Sequence, residues 1–297
     1  MKVRNRWLIH LVLIVSCVII ASPIVFAAIK ATQTRAQVLS PSLAIGDQLL
    51  NNISRAWNTA NLSVYMTNSL IVAMIVTTGK TVFSLLAGLA LVFFDFRLKS
   101  LVFSLILVTL LLPTEVLIVP LFDLIALQPP PSWEAFWMWF RNPVNVLLRP
   151  TEYGFGWSNT FLALTVPFLA SATAVFLFRQ HFLSIPRELA DAAKMDGAGP
   201  LRFLWSILIP MSWNTIGALA VIQFVYVWDQ YLWPRVIIRR DSYQMVQVGL
   251  NRILSGGEQT PWELVMTSAV IVIIPPLLIF MLLQEQFMRG FALASEK

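Results

Sequence analysis

Six runs of mainly apolar residues alternate with short polar segments, near 7–29, 68–94, 101–125, 159–178, 211–232 and 264–283. Each is about as long as the ~20 residues that a helix needs to cross a bilayer core. The pattern predicts an all-α, polytopic membrane protein with six transmembrane helices, in which residues 1–297 form a single transmembrane domain. The first run follows Lys2, Arg4 and Arg6. It exceeds the 7–15 apolar residues of a secretion signal, so it reads as a retained span.

Composition agrees with this reading. Of the 297 residues 58% are hydrophobic and 12% charged, and mean hydropathy is +0.74. Soluble domains run near 45–50% apolar and about 25% charged. The single cysteine, Cys17, lies in an apolar run, which leaves no disulfide framework and no thiolate metal cluster. Net charge is +6, but the basic residues are scattered among the short segments between spans, which argues against nucleic acid.

Those basic residues also predict an orientation. With the N-terminus inside, the inner segments hold eleven Lys and Arg and the longer outer segments nine. Basic density is thus higher inside, as short cytoplasmic loops require, and both termini are placed in the cytoplasm. The outer segment 127–158 contains Trp133, Trp137, Trp139 and Trp157 and a Pro-Pro-Pro turn at 129–131. Tryptophan favours the headgroup level, so this segment is expected along the outer surface.

The cytoplasmic loop 179–210 between spans four and five carries a separate signal. Pro186 suits a helix start, and Glu188 and Asp191 lie near the positive end of its dipole. Gly197 supplies a left-handed stop, and Pro200 prevents continuation. The expected helix has about three turns, with Leu189, Ala192 and Ala193 on one side. Its two alanines would leave the backbone bare enough to enter a groove on another protein.

At these residues the chain resembles the permease subunits of ABC importers. Their Glu-Ala-Ala, Gly and Ile-x-Leu-Pro signature reads here as Asp191-Ala192-Ala193, Gly197, Ile207, Ile209 and Pro210. Leu177-Phe178-Arg179-Gln180, Trp228 to Pro234 with Asp229 in place of the usual Asn, and Gln284 to Gly290 extend the likeness. These segments resemble the carbohydrate-uptake (maltose-permease-like) branch, and within it the second permease subunit of sn-glycerol-3-phosphate importers. The resemblance implies the type I importer fold and a place in the bacterial inner membrane. It also implies a heterodimer with a second permease subunit, two copies of a cytoplasmic ATPase and an external solute-binding protein. Glu188, Leu189, Asp191, Ala192, Ala193, Asp196 and Gly197 would then couple the chain to the ATPase. No cofactor is expected on this chain, ATP and Mg²⁺ being used by the partner. Oligosaccharide import and a scaffold without transport are the alternatives.

Catalytic signatures are missing. Gly79-Lys80-Thr81 looks like the end of a phosphate-binding loop, but position 74 is Met and the segment lies inside a span. His10 and His181 belong to distant segments and lack the spacing of a metal pair. Ionisable groups within spans mark function by default. Lys80 in span two would either meet a phosphate in transit or pair with Glu115 of span three, and Asp123 reads as interfacial. Gln223, Tyr226 and Asp229 complete the candidate substrate path. Pro113, Pro120 and Pro275-Pro276 interrupt backbone bonding, which is tolerated where helices enclose a cavity.

Overall fold

The computed structural model describes residues 6–113, 116–128 and 154–295, together with Ser132, Glu134, Trp137 and Arg141. Among them the secondary structure is entirely helical. The main elements are α1 (Arg6–Ala31), α2 (Leu62–Phe93), α3 (Lys99–Thr109), α4 (Ile118–Ala126), α5 (Ala172–Leu183), α6 (Arg187–Met195), α7 (Trp213–Trp228), α8 (Val246–Leu254) and α9 (Trp262–Ser295). Trp133, Trp139 and the proline turn at 129–131 lie outside the described residues.

Among the described residues four stretches are long and apolar enough to cross a membrane: Trp7–Ala31, Leu62–Phe93, Phe161–Leu183 and Trp262–Met288. A fifth exists if Pro200–Met211 and Trp213–Trp228, bent by 79° between them, count as one span. The bend follows from local chemistry. Pro210 has no N–H to return to the preceding turn, and the turn just before it, Leu204–Leu208, is widened to π geometry. Ser212 then closes the short helix, its Oγ donating to Leu208 O at 2.6 Å, before Trp213 starts α7.

The run at 101–125, predicted as one span, is two helices. Residue Thr109 ends α3, the backbone turns through Leu110–Pro113, and α4 starts at Ile118. Proline at 113 fits the stop, since it has no N–H to return to the carbonyl of Thr109 and its ring would crowd that carbonyl. By contrast, Pro275 and Pro276 lie inside α9 without ending it.

The chain divides into two compact units, Met1–Met66 with Val246–Pro275, and Thr67–Met245 with Pro276–Lys297. In the first, the most apolar window of α1 has no residue buried by the rest of the chain. Its polar interior is well ordered by hydrogen bonds. Lys30 is buried and donates to the carbonyls of Ser40 at 2.7 Å and Ser42 at 2.9 Å. Asn52 donates to Ala31 O and Gln33 O, and Arg55 pairs with the buried Glu263 at 3.3 Å.

The second unit holds an apolar core of Leu85 and Leu89 from α2, Phe178 and Phe182 from α5, and Phe203, Leu204, Leu208 and Leu219. Phe93 meets Phe203 edge-on at 5.1 Å between ring centres. Gly79 lets α2 approach the segment leading into α5, because a β-carbon there would collide with Leu169.

Candidate functional site

The loop after α5 folds as a short helix with defined ends. Pro186 is the N-cap of α6, and Glu188 lies in the first turn. At the other end Ala198 N–H donates to Ala193 O at 2.8 Å and Gly197 N–H to Lys194 O at 3.0 Å. This is the paired bonding of a Schellman cap. Gly197 has φ +73°, the left-handed conformation expected of it. Ala198 closes the cap by packing on the same core as Ala193.

One expectation is corrected here. Leu189, Ala192 and Ala193 do not share the outward face. Ala190 and Ala193 are buried against the chain's own core, whereas Leu189 and Ala192 are exposed. At about 100° per residue the three predicted positions span a wide arc, and the edge of the core runs through it. The two inward alanines are small enough for α6 to lie close over Phe178, Phe182 and Leu204. The free face therefore consists of Glu188, Leu189, Asp191, Ala192 and Met195, with Asp196 at its end. Asp191 and Lys194 form an exposed ion pair at 3.3 Å.

The second feature is a cavity of about 740 Å³ in the same unit. Its lining includes Thr109, Leu112, Pro120 and Leu121 from the broken third run, Phe168 and Ser171 before α5 and Thr173 in its first turn, Lys80 from α2, and Ile222, Gln223 and Tyr226 from α7. Lys80 enters from α2 and is 6% exposed. Its ammonium donates to Gln223 Oε1 at 2.9 Å and lies 5.0 Å from the centre of the Tyr226 ring. Gln223 Nε2 in turn donates to Ser171 Oγ at 3.5 Å. Ser171 caps α5, accepting from Ala174 N–H at 3.3 Å.

Of the predicted path residues, the structure thus brings together Lys80, Gln223 and Tyr226. Asp229 lines an adjoining cavity of about 380 Å³ that it shares with Tyr226 and Trp233. Glu115, the other candidate partner of Lys80, lies outside the described residues. Asp123 lines neither cavity. His10 is exposed on α1, and His181 is half-buried beside Phe182. Sequence reasoning missed Ser171 and Thr173. Their signal was a Ser placed to cap the helix that resumes inside the fourth apolar run.

Residues 80–292 match the family described as binding-protein-dependent transport system inner membrane component. The chain belongs to this family. The matched interval begins at Lys80 and takes in the cavity, α6 and its cap. The chain is therefore a multi-pass inner-membrane transport permease. Across 291 residues it is 36% identical to the sn-glycerol-3-phosphate transport system permease protein UgpE of Brucella melitensis, covering 95% of this chain and 94% of that one. It is likewise 36% identical over 297 residues to the UgpE protein of Yersinia pestis, covering 97% and 96%. A solved bacterial ABC transporter involved in import of the acidic polysaccharide alginate superposes with TM-score 0.73, covering 96% of this chain and 98% of that one. Its identity is 17%, so this likeness concerns the fold, which is that of an all-α importer permease.

Proposed function

We propose that this permease forms half of the translocation path of an ATP-driven importer for sn-glycerol-3-phosphate. It works beside a second permease subunit, two copies of a cytoplasmic ATPase and an external solute-binding protein. Both termini and α6 face the cytoplasm, and α3 and α4 together make the third of six crossings. Hydrolysis of ATP and the Mg²⁺ it uses belong to the ATPase. In this mechanism closure of the ATPase dimer pushes α6, and the bundle reopens toward the outside.

The observation that carries the reading is α6 itself: its inner face is anchored on Phe178 and Phe182 and its outer face is free. A helix seated directly on the core transmits a push to α2 and α5, because packed interiors deform little. The similarity to UgpE proteins over nearly the whole length of both chains supports the substrate. The test is ATP-dependent uptake of labelled sn-glycerol-3-phosphate into vesicles that contain all partner chains. Leu189→Asp, on the free face, is expected to leave the permease folded and to abolish stimulated hydrolysis and uptake together. Normal uptake by that variant, with its ATPase retained, removes α6 as the coupling element.

A further inference from the structure

Lys80 is a buried cation whose near neighbours offer it only partial compensation. It is the nineteenth residue of the 32-residue α2, so about 20 Å or more of helix separates it from either end. At that depth lipid headgroups do not reach. Among the described residues no carboxylate forms an ion pair with it. Among those residues its polar contacts are the amide oxygen of Gln223 and the ring face of Tyr226. A lone cation inside a membrane bundle is costly unless a pathway or a passing anion gives it a role.

The opposite wall is built to favour the same sign of ligand. Ser171, Ala172 and Thr173, the start of the 12-residue α5, line the cavity. Ser171 Oγ satisfies Ala174 N–H, while the N–H groups of Ala172 and Thr173 have no carbonyl one turn earlier to bond. The dipole of α5 adds partial positive charge at this end. Ammonium and first-turn amides thus border one space. Gln223 links them, accepting from Lys80 and donating to Ser171. A volume of about 740 Å³ is in the range of sites for small ligands.

We infer that the ammonium of Lys80 and the first turn of α5 form a phosphate station within the translocation path, which takes the phosphate monoester of a small substrate. This rests on the importer reading given above. Gln223 holds the ammonium while the station is empty and yields it to phosphate in transit. The single amide bond is weaker than a charge-assisted bond to phosphate, so exchange favours the ligand without trapping it.

The decisive variant is Gln223→Glu in the complete reconstituted complex. It sets a carboxylate where the amide oxygen lies 2.9 Å from the ammonium, giving Lys80 a permanent internal anion. Assembly at wild-type yield is expected, with uptake of sn-glycerol-3-phosphate reduced about tenfold or more, the scale of a lost bond to a charged group. Lys80→Met is expected to reduce uptake similarly wherever it assembles. If Lys80 only cements helices, Gln223→Glu satisfies it better and uptake stays within about twofold of wild type, which overturns the station and leaves the importer reading intact. Failure of Gln223→Glu to assemble counts against a cation held at this point. A wild-type complex that takes up no sn-glycerol-3-phosphate overturns the importer reading, and the station with it.

Discussion

Replacing Gly197 isolates the conformational role of one residue. It sits at φ +73°, and a β-carbon built there would meet nothing within 4 Å. Steric collision therefore contributes nothing, and the whole effect of a substitution is the cost of a left-handed backbone. For alanine that is about 1 kcal/mol or somewhat more, and for a β-branched residue more still. Asparagine tolerates the conformation better than either. The alternative state is local: α6 runs on past Met195, and the bonds from Ala198 to Ala193 O and from Gly197 to Lys194 O are lost. Losing them also withdraws Ala198 from the core. A shift of 1–2 kcal/mol changes the ratio of the two states by roughly 5–30-fold. Membrane insertion is expected to be normal for every variant, because no apolar helix is altered. ATP hydrolysis stimulated by loaded binding protein, measured in reconstituted vesicles beside uptake, is expected to fall in the order Gly, Asn, Ala, Val. Equal coupling in the glycine and valine proteins would refute the argument that the cap sets the position of α6.

Ala193→Asp buries a carboxylate beside Phe178 and Phe182, at a cost of several kcal/mol. Folded yield should collapse on gel filtration, whereas Ala192→Asp, on the exposed face, should purify normally yet retain less ATPase. Gly249→Ala drives a methyl group into the Tyr65 ring. Overpacking of this kind costs about 1–3 kcal/mol, so the detergent-solubilised protein should melt at a lower temperature, and an unchanged melting point would contradict the contact. Lys30→Met removes the donor from Ser40 O and Ser42 O, and limited proteolysis within 34–46 should accelerate while uptake-independent insertion persists. Reporters fused after Lys297 and within 186–197 are expected to read as cytoplasmic, and one within 40–60 as external. An outside signal from the loop fusion reverses the orientation.

Much of this protein is legible in local chemistry. Apolar runs of spanning length are a property of chain segments alone, because a bilayer imposes the same demand on each. The ends of α6 are equally readable: Pro186, Gly197 and Pro200 act on the backbone within a turn of themselves, and the structure has the helix start and stop where they place it. Which face of α6 is free could not be read in this way. Leu189, Ala192 and Ala193 lie on an arc whose division depends on where Phe182 and Leu204 come to rest, and those belong to other elements. The third run shows the same limit. Its composition is that of a span, but its proline at 113 and the cavity beside it divide it into α3 and α4. Lys80 was conspicuous as a charge in an apolar run, while its partner Gln223 stands 143 positions away. Sequence determines what a segment prefers by itself; only the packed tertiary structure brings α2, α5 and α7 together, so only it decides what a buried charge meets.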